Sequence, residues 1–198
     1  MPKFTEIEKE SIRLEMMRTA HQCFITKGLK NTSIEEITSS VSIAKSSFYV
    51  FFKSKEMLYL ELLVSEGEEI ERRIWTKVEQ EKDVRGAIKV YLHEMSSALE
   101  ANILTQRLIT NLEEYNMVSR KIDPQYAASK TLRSIVPLIE FIKKNKGLKK
   151  IINEDIEVIA GVIRACLAII IHKKDVGEEI YPKVQEILFQ AIANELTK

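Results

Sequence analysis

Between Gly28 and Lys55 the sequence crowds helix-ending and helix-opening residues so closely that the helices they delimit are too short to stand alone. Gly28 stops a first helix that the spacing places over about Glu6 to Lys27, with Leu14, Met17, Ala20 and Phe24 three or four apart along its apolar stripe. Thr32-Ser33-Ile34-Glu35 then reads as a capping box, with Thr32 as N-cap and Glu35 reaching back to it. The helix so opened sets Ile34, Ile37 and Val41 on one face, and a break at Val41-Ser42-Ile43 leads into another short helix from about Lys45 to Phe51. Ser54 caps a long helix running to about Glu79. Short helices of this kind persist only when neighbours pin them, and two joined by a tight turn behind a longer one make a helix-turn-helix.

The rest of the chain continues in helices. With Gly 6 and Pro 4 among 198 residues, 45% hydrophobic and 30% charged, it has few breakers and enough apolar mass for a core. Helices are expected over about Val84 to Glu100 and Ile103 to Tyr115, and from Asp123-Pro124 towards Lys146 with an interruption at Pro137. Two more are expected, from Asn153 to about His172 and from about Glu178 to Leu196. The fold class is therefore all-α: a helix-turn-helix module over residues 1–53, then a larger helical bundle over 54–198.

The chemistry concentrates in the short helices. If Phe48 and Phe52 pack on Ile37, Val41 and Phe24, then Lys45, Ser46, Ser47 and Tyr49 face outward. Short hydroxyl side chains beside a lysine suit close approach to a major groove, where bases and phosphates both accept hydrogen bonds. Lys55 sits in the first turn of the long helix, where a cation is unfavourable unless an anion such as a phosphate joins it, and Lys53 adds to the same corner. The alternative is that both lysines are simply solvated. A net charge of +1 excludes a generally basic nucleic-acid coat but leaves room for a local basic face.

Met16, Met17, Ala20, Cys23, Phe24, Gly28, Thr32-Ser33, Ile37 and the run from Phe48 through Tyr49, Phe52, Ser54 and Lys55 to Leu58 resemble the N-terminal signature of the TetR family of bacterial repressors. The resemblance covers about Arg13 to Leu62. It implies that Thr32, Tyr49 and Lys55 contact phosphates and that Lys45, Ser46 and Ser47 lie at the base-reading end of the third helix; Ser33 and Lys53 complete the candidate DNA-binding residues. It further implies a ligand-responsive repressor, releasing its operator when an unidentified small molecule binds the C-terminal part. The sequence departs from the family pattern at Thr38, Val41, Ser42 and Ala44. Where the family has glycine, Ser42 costs on the order of 1 kcal/mol if the turn requires a left-handed residue.

In the bundle, the last two helices carry enough apolar surface for a seam between two copies. Ile163, Leu167, Ile170, Val184, Ile187, Leu188 and Ala191 are the candidate interface residues, and an ordinary monomer core is the competing reading. Tyr91, Met95, Asn111, Tyr115 and Cys166 are candidate ligand contacts, although tyrosine and methionine at helical spacing are more often core. No catalytic, metal or cofactor motif is present: the three histidines match no HExxH or diiron spacing, and Cys23 and Cys166 form no redox pair. Without a signal-peptide pattern or a membrane-length apolar run, a cytoplasmic location with no membrane partner is expected. Two other classes remain: a helical module that binds protein and no ligand, and a small helical enzyme.

Overall fold

The structure, a computed structural model, describes residues 4–123, 136–141, 144 and 156–197. Among them all regular structure is helical. The helices are α1 (Glu6–Asn31), α2 (Ile34–Ser39), α3 (Phe48–Phe51) preceded by a 3-10 turn (Lys45–Ser47), α4 (Lys55–Val78), α5 (Val84–Ala101), α6 (Ile103–Thr110) and α7 (Leu112–Ser119). After a helical stretch over 136–141 come α8 (Ile156–Leu167), a 3-10 turn (Ala168–His172), α9 (Lys173–Val176) and α10 (Tyr181–Glu195). The expected helix starts at Asp123-Pro124 and Asn153, and the stop at Gly147, involve residues outside the described ones. Pro137 is the second residue of the described helical stretch 136–141, and the residues that precede this stretch lie outside the described ones.

The chain forms two compact units. The first takes residues 1–66 and 103–122, and the second takes 67–102 and 123–198. The division is not a single cut after residue 53: α6 and α7 return to the N-terminal unit, and α4 contributes to both.

In the first unit, Met16, Ala20, Phe24 and Leu29 of α1 are buried with Ile37, Phe48, Phe52, Leu58, Tyr59, Leu104 and Val118. Leu14, expected on the core stripe, is 55% exposed, and Met16 takes the buried place. α1 does stop being helical at Gly28, whose φ of +87° only glycine adopts easily. A Cβ there would fall on the side chains of Arg107 and Glu114. Glu114, 2% exposed, accepts a hydrogen bond from Leu29 N–H at 3.1 Å and one from Arg107 Nη2 at 2.9 Å. The helix break at Gly28 frees that N–H, and the Glu114 carboxylate satisfies it, tying α7 to the end of α1.

The capping box is displaced by one residue from the expected one. Ser33 is the N-cap, its Oγ accepting from Glu36 N–H at 3.2 Å while Ser33 N–H donates to Glu36 Oε2 at 2.8 Å. Thr32 is buried and its hydroxyl donates to Gly28 O at 2.7 Å, so it closes α1 rather than opening α2. The single helix expected over Ile103 to Tyr115 is two, because Asn111 Oδ1 accepts from the backbone N–H groups of Glu113 and Glu114, both at 3.1 Å, and starts α7.

In the second unit, α10 packs on α5 and on α8 around Tyr91, Leu92, Ile159, Ile163, Phe189 and Ala193. Polar contacts set the register of α10 against α5: Gln185 Nε2 donates to Ser96 Oγ at 2.8 Å, and Glu186 meets Lys89 at 2.9 Å and His93 at 2.8 Å.

Two of the backbone positions in the left-handed region stand there for opposite reasons. Ser42 has φ +53° with a side chain the turn does not need, whereas Gly28 has no room for one. In urea unfolding, Ser42→Gly raises stability by about 0.5–1 kcal/mol, the left-handed penalty less the extra entropy glycine loses. Gly28→Ala lowers it by more than about 2 kcal/mol, combining that penalty with overpacking.

Candidate nucleic-acid interface

The short helices rest on an aromatic floor. Phe48 is fully buried, with its ring 5.6 Å from Phe52 and 5.5 Å, edge-on, from Tyr49. Phe24 and Tyr59 stack behind them at 5.0 Å, and the Tyr59 hydroxyl donates to Leu104 O at 2.8 Å. Arg13 ion-pairs with Glu61 and lays its guanidinium 5.3 Å above the Phe52 ring. A fixed floor leaves the opposite side of the 3-10 turn and α3 outward: Lys45, Ser46 and Tyr49 are exposed and Ser47 is half-buried. Ser42 turns the chain between α2 and this segment, where Thr38 O accepts from Val41 N–H at 3.3 Å and Ile43 N–H at 3.2 Å.

The sequence-predicted residues divide in two. Ser33, Lys45, Ser46, Ser47, Tyr49 and Lys53 reach solvent on this unit, with Ser33 also capping α2. Thr32 and Lys55 do something else first. Thr32, 1% exposed, spends its hydroxyl within α1, and its carbonyl accepts from Lys55 Nζ at 2.7 Å. Lys55 also lies 3.4 Å from Lys30 O. The lysine that looked misplaced at the start of α4 is therefore well placed at the C-terminal end of α1, where free carbonyls favour a cation. Its partial burial holds the ammonium below the ordinary lysine range.

Charge on this unit is largely compensated. Lys45 pairs with Glu35 at 2.6 Å, Lys30 with Glu113 at 2.9 Å and Lys27 with Glu36. The Lys27 ammonium, followed by the backbone and hydroxyl of Ser33, pulls Glu36 down to about 2. Lys53 is exposed and has no partner among the described residues. The sequence marked Glu35 only as a capping-box residue and not as the partner of Lys45, which lies beyond any spacing that one helix brings together.

The candidate ligand residues fall in both units. Tyr91, Met95 and Cys166 are buried in the core of the second unit, and burial pushes the Cys166 thiol up to about 11. Asn111 and Tyr115 belong to the first unit, where Asn111 is committed to capping α7 and Tyr115 is 46% exposed. The sequence did not mark a groove of about 520 Å³ between α4 and α5, floored by Ile70, Ile74 and Ala98 with Arg73, Lys77 and Asn102 on its rim. Of the candidate seam residues, Ile163 and Ile170 point into their own core, at 0% and 5% exposure. Leu167 and Leu188 pack half-buried against that core, Val184 is half-buried, and Ile187 and Ala191 are exposed. The outward face of α8 carries Val158, Val162 and Ala165 instead. No helix among the described residues is long and apolar enough to cross a membrane.

Removing Lys55 should therefore cost stability even without DNA. Lys55→Ala lowers the unfolding free energy by about 1 kcal/mol, the usual worth of a cation at a helix C-terminus, and the loss shrinks in high salt. Urea titrations of the free protein at two ionic strengths measure it; an unchanged midpoint would assign Lys55 no structural share.

Residues 17–62 match the model of the bacterial regulatory proteins, tetR family. Over 56 residues the chain is 43% identical to the HTH-type transcriptional regulator YuxN of Bacillus subtilis, itself uncharacterized; the matched segment is 28% of this chain and 18% of that relative. Among solved structures, a protein from Syntrophomonas wolfei assigned to the TetR-family transcriptional regulators superposes with a TM-score of 0.64 at 20% identity, covering 96% of both chains. RolR in complex with resorcinol superposes with a TM-score of 0.62 at 15% identity, covering 97% of this chain and 90% of RolR.

Proposed function

We propose that the chain is a transcriptional regulator like the TetR-family proteins it resembles in residues 17–62 and in fold, binding its operator as a homodimer and releasing it when a small molecule occupies the second unit. One observation carries the DNA reading: Lys45, Ser46 and Tyr49 stand outward on a segment whose other side is locked by the buried Phe48 and Phe52. A reading element must be rigid and narrow to enter a major groove, and this one is both. Ser33 and Lys53 border the same surface as phosphate contacts, Ser47 adds a hydroxyl, and Lys55 with the Thr32 backbone supports the corner between them.

The second copy is proposed to dock on α8 and α10. These helices pack together and present Val158, Val162 and Ala165 beside Val184, Ile187 and Ala191. Ile187 at 60% exposure and Val158 at 53% are costly to leave in water. Pairing them forms a four-helix seam and sets two reading helices at a fixed spacing. The effector is proposed to enter the second unit, with the α4/α5 groove and the neighbouring Tyr91, Met95 and Cys166 core as the places to look. RolR offers a precedent in the same fold for an aromatic small molecule.

Footprinting on DNA flanking the protein's own gene should protect two half-sites roughly 34 Å apart. Protection of one unrepeated half-site would rule out the two-fold arrangement. Ile187→Glu should give monomers in sedimentation and lose operator affinity with every DNA-facing residue intact, because a buried carboxylate without a partner opposes the seam.

Release by ligand has its own check. Small molecules that co-purify with the protein, identified by mass spectrometry, should weaken operator binding by about 5–150-fold, and operator should weaken their binding by the same factor. A bound molecule that leaves operator affinity unchanged is not the effector.

A further inference from the structure

Glu35 stands where a DNA-binding surface is least expected to carry a carboxylate. It lies in the first turn of α2 and holds Lys45, the first residue of the reading segment, at 2.6 Å, with both side chains more than half exposed. The neighbouring lysines are also engaged, Lys27 with Glu36, Lys30 with Glu113, and Lys55 with the carbonyls that end α1. Resting on the DNA-binding reading above, we propose that Glu35 is a specificity-determining residue that steers the Lys45 ammonium away from phosphates and towards base edges.

The argument is one of charge and donor number. An ammonium has three N–H donors, and the pair with Glu35 occupies one of them. The other two can reach neutral acceptors such as guanine O6 and N7 without breaking that pair. A phosphate approaching Lys45 instead meets the Glu35 carboxylate, a like charge, at close range. The pair is open to solvent and loosely held, so it redirects the lysine without immobilising it. The same contact that favours a base edge thus penalises binding wherever only the backbone is offered. Both partners show the engagement, Glu35 held below the usual carboxylate range by the Lys45 hydrogen bond and Lys45 raised by the same bond.

The test uses the full-length protein, the footprinted fragment and a scrambled duplex of equal length, each titrated across salt. Glu35→Gln should tighten scrambled binding and steepen its salt dependence by about 0.9 units of log K per log salt for each half-site, as the freed lysine takes a phosphate. The ratio of operator to scrambled affinity should fall about tenfold. In a Lys45→Met background the Glu35→Gln change should move neither quantity, and Glu35→Asp should retain most of the ratio. Glu10→Gln, which removes an exposed carboxylate of the same unit with no partner among the described residues, controls for charge alone. An unchanged ratio in Glu35→Gln, or an equal fall in Glu10→Gln, overturns the role of Glu35 while DNA binding stands. A wild-type protein that binds both duplexes equally overturns the DNA-reading premise itself, and this role with it.

Discussion

Glu114 places a carboxylate almost entirely out of solvent, and its partners define the first unit. One is the guanidinium of Arg107, from the preceding helix; the other is the backbone N–H of Leu29, freed because α1 breaks at Gly28. Removing one member of a buried pair of this kind generally costs about 3–5 kcal/mol, since the remaining charge is stranded. The geometry also explains why glycine stands at 28, where any side chain would collide with the pair. The turn into α2 and the start of α4 are tied to this corner. Thr32 closes α1 on the Gly28 carbonyl, Lys55 holds the Thr32 carbonyl, and Ser33 opens α2 from the next residue.

That chain of contacts links the start of α4 to the turn before α2 by hydrogen bonds to main-chain atoms. The segment from Lys45 to Phe51 is too short to be stable as an isolated helix, so it borrows rigidity from the Phe48 and Phe52 floor and from this corner. Two kinds of support therefore converge on one small surface: apolar burial beneath it and satisfied backbone groups at its edge. Ser42 shows that the balance tolerates a flaw, keeping a left-handed turn with a residue that pays for it.

The surface is also economical in charge. Lys27, Lys30 and Lys45 of the first unit each face a carboxylate from another element, so the lysines there do not make a simple basic patch. The near-neutral composition of the whole chain is consistent with that local pairing. In the second unit the division of labour differs. Its core residues, including Tyr91 and Cys166, are packed among themselves, while the apolar side chains of α8 and α10 that face outward are a separate set.

The sequence by itself determined the helical class, the helix-turn-helix, the Ser54 cap and the outward set Lys45, Ser46 and Tyr49. These rest on signals that act over one or two turns of chain: glycine stops, hydroxyl caps and the three-to-four spacing of apolar residues. The same signals misplaced the α2 cap by one residue, because Thr32 and Ser33 are equally good caps locally and only the buried Gly28 carbonyl chose between them. What lay beyond them was any choice between two sides of an apolar helix. Ile163 and Ile170 read as seam residues and Leu14 as core, yet the first two are buried within their own unit and Leu14 is exposed, because burial depends on which elements pack against each side of a helix. The return of α6 and α7 to the N-terminal unit, the Glu114 tie and the Glu35–Lys45 pair join residues from separate helices. Tertiary structure alone decided them, since electrostatics and packing act through space and the periodicity of a single helix does not encode its partner.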